Sequence, residues 1–192
     1  MALASAYDDA IWEQIGDGDA PAHLVDFVRS LGAVESALDV GCGDGRLTRE
    51  LAVRDLTAAD VSVVVLARAR ERLVVGRLVE LDPGAPLPLE DGSFDLVLCS
   101  ETLEHVQDVQ QLLSEARRVL RPGGTLAITT PAHSRLTAAR IAVTGFELTF
   151  DPLSPHLRFF TRRSLTRVLD GMGFDVVSAR RRRGTLLVTA RR

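Results

Sequence analysis

The chain contains no lysine and no asparagine, so all 23 of its basic residues are arginine. Without lysine, a Schiff-base or lysine-base mechanism is excluded, and so is a P-loop, which needs Gly-Lys followed by Ser or Thr. Only two cysteines are present, Cys42 and Cys99. They are too few for a disulfide framework, and we expect both to be small buried thiols.

Long apolar runs are also missing, since no segment approaches the roughly 18 residues that a membrane span needs. The first residues show no basic stretch followed by an apolar one, so no secretion signal is indicated. We therefore expect a cytoplasmic protein with no membrane partner. The net charge of −3 gives no overall attraction to nucleic acid. A length of 192 residues, 46% of them hydrophobic, suits one α/β domain.

Apolar strands alternate with helical patterns along most of the sequence. The predicted strands are 37–41, 57–61, 75–81, 94–99 and 125–130, and the predicted helices are 46–53, 63–73, 109–120 and 165–172. A hairpin of 174–178 and 185–189 across 180–184 closes the chain. This order predicts an α/β fold with a single doubly wound, mostly parallel seven-stranded sheet, helices on both faces and a C-terminal antiparallel hairpin. We expect one domain over 1–192, with a helical cap at 1–35 and a substrate-side loop at 131–160.

A glycine-rich turn follows the first strand, where residues 37–45 read Ala-Leu-Asp-Val-Gly-Cys-Gly-Asp-Gly. Glycine lets the backbone turn tightly and leaves room for a ligand. Open α/β sheets bind small molecules at the carboxyl edge of their parallel strands, so this turn is expected at a binding crevice. The dinucleotide fingerprint does not fit, because it needs glycine or alanine where Arg46 stands.

Carboxylates stand at the ends of the next two strands. Asp60 precedes Val61 and Ser62, and Rossmann-like folds place an acidic residue there to accept hydrogen bonds from ribose hydroxyls. Ser62 is expected to cap the following helix. Asp82 closes the third strand and precedes a proline, which has no N–H to offer a ligand.

These segments together resemble the S-adenosylmethionine-dependent methyltransferases with a Rossmann-like fold. The resemblance rests on G-x-G-x-G with Asp39 two residues before it, on 60–73, on Leu-Pro-Leu-Glu-Asp-Gly-Ser-Phe-Asp-Leu-Val at 87–97, and on Arg-Val-Leu-Arg-Pro-Gly-Gly at 118–124. It implies S-adenosylmethionine as cofactor, with Asp60 at the ribose and Asp82 at the adenine amino group. The implied cofactor residues are Asp39, Gly41, Cys42, Gly43, Asp60, Val61, Asp82 and Ser100.

A second constellation follows the fourth strand. Glu101, Glu104 and His105 have the spacing i, i+3, i+4, which brings them to one face if the segment is a helical turn. Two carboxylates and an imidazole make a half-site for a divalent metal, which His156 in the long loop could complete. This stretch resembles the small-RNA 3′-terminal 2′-O-methyltransferases and the ubiquinone-biosynthesis O-methyltransferases. That resemblance implies Mg, Mn, Fe or Zn on Glu101, Glu104, His105 and His156.

If no metal binds, His105 or His156 is the candidate general base, with His133 a weaker candidate. His23 is expected to be structural or on the surface. Tyr7 and Trp12 either cover the acceptor pocket or belong to the core.

The leading hypothesis is an O-methyltransferase acting on a hydroxyl of a small metabolite, a vicinal diol or catechol where a metal holds it. One alternative is 2′-O-methylation of the 3′-terminal ribose of RNA, favoured by the basic run at 180–183 and opposed by the acidic net charge. Another is a non-catalytic cofactor-binding partner subunit. The basic run otherwise fits a solvated hairpin tip. The sequence does not indicate an oligomeric state.

Overall fold

The computed structural model describes residues 18–73, 76–145 and 156–192. Expectations for Tyr7, Trp12, the start of the third strand and the middle of the 131–160 loop lie outside these residues. The strands are β1 (Val34–Val40), β2 (Val53–Asp60), β3 (Arg77–Glu80), β4 (Phe94–Ser100), β5 (Leu120–Pro131), β6 (Asp175–Arg182) and β7 (Thr185–Arg191). The helices are α1 (Ala22–Arg29), α2 (Val63–Arg72), α3 (Val109–Val119), α4 (Arg135–Thr144) and α5 (Arg162–Gly171).

The seven strands form one sheet in the order β3-β2-β1-β4-β5-β7-β6. Strands β1 to β5 pair in parallel, whereas β7 runs antiparallel to both β5 and β6. The predicted fold class is therefore confirmed. From β1 the chain adds β2 and β3 on one side of the sheet and then β4 and β5 on the other side. Open α/β sheets bind ligands at the point where the strand order changes side in this way.

Helices cover both faces of the sheet. On one face α3 and α5 bury Leu113, Val119, Leu165 and Leu169 in the larger apolar cluster. On the other face α1 packs its apolar side against strands β1 and β4 through residues that include Phe27. Within the described residues no helix is long and apolar enough to cross a membrane.

The helix predicted at 46–53 is wrong. Only a single 3-10 turn, Thr48–Glu50, lies between the first two strands, and Val53 already begins β2. Only twelve residues separate β1 from β2, which leaves no room for a crossover helix besides the glycine turn. The prediction of helix 63–73 is confirmed closely, since Ser62 Oγ accepts the N–H of Val65 at 3.2 Å.

The C-terminal hairpin is tighter than predicted. β6 continues to Arg182, so residues 180–182 belong to the strand and the turn is Arg183–Gly184 alone. Both turn residues have positive φ, 49° and 88°, as in the two-residue turns that suit twisted strands. The 131–160 loop also contains regular structure, because α4 lies within it. In the predicted cap at 1–35, the described part is α1 and the start of β1.

Candidate active site

A cleft of about 500 Å³ lies at the carboxyl edge of the parallel strands. The ends of β1, β2, β3 and β4 all contribute to it. This is the edge at which open α/β sheets bind ligands. Four of the predicted cofactor residues line the cleft: Gly41, Asp60, Val61 and Asp82. A cleft of this size suits a cofactor or a drug-sized molecule.

The glycine turn is held close to the segment that follows β4. Gly41 has φ 72°, and a Cβ built there would lie 2.3 Å from Cγ2 of Thr102. Thr102 Oγ1 donates to the Ser100 carbonyl at 3.0 Å and lies 3.3 Å from the Gly41 carbonyl. Glycine is therefore required at position 41 by both the backbone angle and the packing.

Asp60 braces the same turn from the end of β2. Its Oδ2 accepts the N–H of Gly43 at 2.9 Å, and its Oδ1 accepts the N–H of Ser62 at 3.0 Å. These bonds fix the carboxylate at the wall of the cleft. Asp82 is exposed and lines the cleft further along, beside Pro83.

Asp39 lies beneath the turn and is only 2% exposed. Its Oδ2 accepts a hydrogen bond from the Thr48 hydroxyl at 2.6 Å, whereas Oδ1 has no hydrogen-bond partner among the described residues. Burial, with a smaller contribution from the charge of Asp60, raises the pKa of Asp39 to about 7. An acidic group buried with one free oxygen suits a neighbouring cation or donor.

The remaining predicted cofactor residues, Cys42, Gly43 and Ser100, are not among the residues that line the cleft. Cys42 is buried against Ala58 and Leu66, and Cys99 is also a free buried thiol. The Gly43 N–H is used by Asp60. The hydroxyl of Ser100 lies 2.7 Å from that of Thr129 on the neighbouring strand. These residues shape the turn and the strand ends.

Glu101 follows β4 with a positive φ of 50°, an uncommon backbone conformation for a residue with a side chain. Its N–H donates to the Thr129 carbonyl at 2.9 Å, and its carboxylate accepts the Thr129 hydroxyl at 2.8 Å. Burial raises the pKa of this carboxyl above its usual range. The segment is not helical, so the i, i+3, i+4 spacing does not align Glu101 with the residues that follow.

Glu104 is buried, with 1% of its surface exposed. Its Oε2 accepts the Thr130 hydroxyl at 3.0 Å. Its Oε1 has no hydrogen-bond partner among the described residues and lies 4.0 Å from Nε2 of His105. Burial and then the nearby Glu101 raise the pKa of Glu104 to about 7.

Glu104, His105 and His156 come together, and we call these three residues the acceptor trio. Each offers one ligand atom within 4.8 Å of the others, and the two imidazole rings are 4.9 Å apart. Glu101 is not part of this group. Burial lowers the pKa of His156, so its neutral form, which can accept a proton or bind a metal, is favoured.

The segment 156–160, which carries His156, is held by backbone contacts to Glu104 and to Ala132. The N–H groups of Leu157 and Arg158 both donate to the Glu104 carbonyl, at 2.8 and 3.0 Å. Phe160 then bridges to Ala132, just beyond the end of β5. His133 lies on the same rim with its ring 4.9 Å from that of Phe159. His23 is structural, as expected, since its Nε2 lies 3.2 Å from the Thr185 hydroxyl.

Sequence reasoning missed the threonines that hold the acidic groups in place. The hydroxyls of these threonines donate hydrogen bonds to the carboxylates: Thr48 to Asp39, Thr129 to Glu101, and Thr130 to Glu104. The last two belong to the end of β5, which the parallel order already placed at the crevice, so that position was the available signal.

Comparison with known proteins adds the family. Residues 38–128 match the family described as "Methyltransferase domain". A malonyl-[acyl-carrier protein] O-methyltransferase of Enterobacter lignolyticus is 35% identical over 70% of this chain and 53% of its own length. A 27-O-demethylrifamycin SV methyltransferase of Amycolatopsis mediterranei is 35% identical over 67% of this chain and 54% of its own. The chain thus spans about half the length of the curated relatives it matches.

The same fold is found in solved structures. A SAM-dependent methyltransferase from Aquifex aeolicus superposes with a TM-score of 0.71 and 19% identity, covering 95% of this chain and 97% of the other. This likeness shows the fold, and the family match covers the glycine turn and both carboxylate-bearing strand ends. The match over residues 38–128 and the shared fold are those of the S-adenosylmethionine-dependent methyltransferases with a Rossmann-like fold.

Proposed function

We propose that this protein binds S-adenosylmethionine in the cleft and transfers its methyl group to a hydroxyl of a small acceptor. When bound, the cofactor supplies an electrophilic methyl group on a sulfonium. The protein then has to hold the acceptor oxygen in line with that methyl and remove the hydroxyl proton. Positioning of this kind contributes on the order of 7–11 kcal/mol to lowering a barrier.

The cleft suits a donor with net positive charge. Its lining contains Asp60, Asp82, Glu101, Asp108 and Glu115, and no arginine among the described residues. Asp39, below the turn, adds a buried carboxyl oxygen without a hydrogen-bond partner. We assign Asp60 to the ribose hydroxyls and Asp82 to the adenine amino group. Pro83 offers no N–H to the base, so the adenine contact on this side rests on the carboxylate of Asp82.

The acceptor trio is the observation that carries the proposed reaction. Glu104 Oε1 is a buried acceptor without a hydrogen-bond partner, and His105 and His156 supply ring nitrogens beside it. A hydroxyl placed among these atoms has a group that can take its proton. His105 also lines the cleft, so the trio and the cofactor site are continuous.

The same three atoms fit a divalent cation. Two imidazole nitrogens and one carboxylate oxygen form a known ligand set for iron and related metals, and an orphaned carboxylate oxygen is expected at a metal site. A bound cation would lower the pKa of the acceptor hydroxyl and favour a catechol or vicinal diol over a single hydroxyl. We retain Glu104, His105 and His156 as its ligands and leave Glu101 out.

The test is transfer of labelled methyl to a catechol, to a monophenol and to a short RNA with a free 3′-terminal diol. Each assay is run before and after chelation, and again with Mg, Mn, Fe or Zn added back. We expect transfer to the catechol, its loss on chelation and its recovery with one metal. Equilibrium dialysis of that metal against His156→Ala gives a reading independent of turnover, and Glu90→Gln, an exposed carboxylate, serves as control.

Other outcomes of the assay favour the other hypotheses. Transfer to RNA alone would favour 2′-O-methylation of a terminal ribose. Cofactor binding without transfer to any acceptor would favour a non-catalytic partner subunit. Transfer that chelation leaves unchanged would refute the metal and leave the acceptor trio as a proton acceptor.

A further inference from the structure

Charge is distributed very unevenly along this chain. Residues 156–192 contain ten arginines and only two carboxylates, Asp170 and Asp175. Residues 1–155 contain 13 arginines and 24 carboxylates. An acidic protein therefore carries one strongly basic part.

Five of these arginines lie at one corner of the sheet, at the carboxyl edge of the parallel strands. We call Arg158, Arg162, Arg163, Arg181 and Arg183 the arginine corner. All five are exposed. They lie on three chain segments that meet there: the segment bearing His156, the start of α5 and the end of the β6–β7 hairpin.

The sheet register fixes that meeting point. The last residue of β5, Pro131, pairs with Thr185, which follows the hairpin turn directly. The next residue, Ala132, donates its N–H to the Gly184 carbonyl at 2.7 Å and bridges to Phe160. Because Phe160 immediately precedes the Thr161 cap of α5, the helix start and the hairpin turn flank the same strand end.

Arg181 points to the α5 side of the sheet. Val176 and Ala179 of β6 pack on the cluster that contains Leu165 of α5, and alternation along the strand places Arg181 on that face. The side chain of Arg182 points the opposite way and pairs with Asp26 of α1 at 3.0 Å.

Among the described residues, no carboxylate neutralises the arginine corner. None of its five side chains forms an ion pair with any residue in the described ranges. The side chain of Arg158 donates to the Gln107 carbonyl, at 2.7 Å, and to no carboxylate among the described residues. Elsewhere arginines are commonly paired, as Arg118 is with Asp91 and Glu115. The two carboxylates of the basic region lie at the far end of α5 and at the start of β6.

Apolar surface accompanies these charges. Leu157 and Phe159, on either side of Arg158, are 47% and 45% exposed. A groove between α3 and α5 starts at Thr161 and includes Val168 and Met172, with arginines along its edge. A partner would thus meet aliphatic side chains interleaved with cations.

We propose that the arginine corner and the adjoining α5 groove bind an acidic, amphipathic segment of a partner protein. Carboxylates of the partner would pair with the arginines, and its apolar side chains would occupy the groove. On the proposed function this partner presents the acceptor, because the corner adjoins the acceptor trio through the segment 156–160.

The surface favours protein over RNA as the partner. Binding of single-stranded RNA relies on aromatic side chains that stack with bases, and Phe159 is the one exposed aromatic side chain in this part of the described surface. The groove offers two apolar side chains, Val168 and Met172, beside two arginines, which suits a protein segment that carries both apolar residues and carboxylates.

The experiment measures fluorescence anisotropy with a labelled amphipathic peptide that carries glutamate on one helical face and leucine on the other. A scrambled peptide and an oligouridine of equal charge are the comparison ligands. The test variant is Arg162→Glu with Arg163→Glu and Arg181→Glu. Glutamate suits the first turn of a helix, so we expect α5 to form in this variant. The matched control reverses Arg54, Arg70 and Arg77, which lie on β2, α2 and β3.

We expect the designed peptide to bind wild type more tightly than the scrambled peptide or the oligouridine. The corner variant should lose about tenfold or more in affinity, because three attractive pairs become repulsive, while the control variant stays close to wild type. Equal losses in the two variants, or tighter binding of oligouridine, would overturn the proposal. Peptide binding needs no methyl transfer, so failure of the proposed function would show separately as absent turnover.

Discussion

Replacing Asp39 by asparagine should stabilise the ligand-free protein, and more so at high pH. Asp39 is buried and its pKa is raised from 3.8 to about 7, chiefly by burial. Between these two values the unfolded chain loses the proton while the folded chain retains it. Stability therefore falls as pH rises through this window, and above pH 7 the full penalty is present.

The magnitude follows from the two pKa values. One pKa unit corresponds to about 1.4 kcal/mol, so the penalty that develops between pH 5 and pH 7 is about 2.7 kcal/mol. Asparagine keeps an oxygen that can accept from Thr48 and carries no charge. The gain in unfolding free energy from Asp39→Asn should therefore be about 2–3 kcal/mol larger at pH 8 than at pH 5.

Urea denaturation of both proteins at the two pH values measures this difference directly. Asp170→Asn, which removes an exposed carboxylate from the surface of α5, is the control against which the difference is compared. A gain of equal size at pH 5 and pH 8 would refute the reasoning, because it would mean that Asp39 does not titrate in this range. Calorimetry should show in addition that Asp39→Asn weakens cofactor binding, since the buried charge is then absent.

Three further substitutions test the site. Thr48→Val removes the hydroxyl that donates to Asp39, and should cost about 1–3 kcal/mol of stability in urea at pH 8, less at pH 5 where the carboxyl is protonated. Gly41→Ala forces a Cβ against Thr102 at positive φ; we expect a loss of about 1–3 kcal/mol and weaker cofactor binding by calorimetry, and an unchanged melting curve would contradict the packing. Glu104→Gln keeps an acceptor for Thr130 but loses the charge, so labelled-methyl transfer should fall about 100-fold with cofactor affinity retained. A loss of cofactor affinity instead would contradict this role and indicate that Glu104 helps to bind the cofactor.

Local signals predicted the elements that depend on local chemistry. Alternating apolar segments gave the strands, and Ser62 gave the start of α2 because a cap needs only its own helix. The helix predicted at 46–53 failed for a non-local reason, since the start of β2 at Val53 leaves no space for it. The hairpin turn was predicted to be too long because arginines 180–182 were treated as turn residues, although exposed edge strands commonly contain charged residues.

The candidate site was predicted only in part. The glycine turn and the carboxylates that end β2 and β3 follow from strand order, and the structure places them at one cleft. Glu101 was predicted to share a metal half-site with Glu104 and His105 on helical spacing, but its segment is not helical and its carboxylate accepts a hydrogen bond from Thr129. That contact joins two strands distant in sequence, so spacing within one segment could not reveal it.

The carbonyl of Glu104 receives both the Leu157 and the Arg158 N–H groups, so one peptide oxygen anchors the segment that brings His156 into place. The backbone oxygen and the carboxylate of one residue are therefore linked in their roles, because the first holds the segment of His156 and the second lies beside the imidazoles. A substitution that displaces the Glu104 backbone is expected to move His156 as well, even where the carboxylate itself is retained.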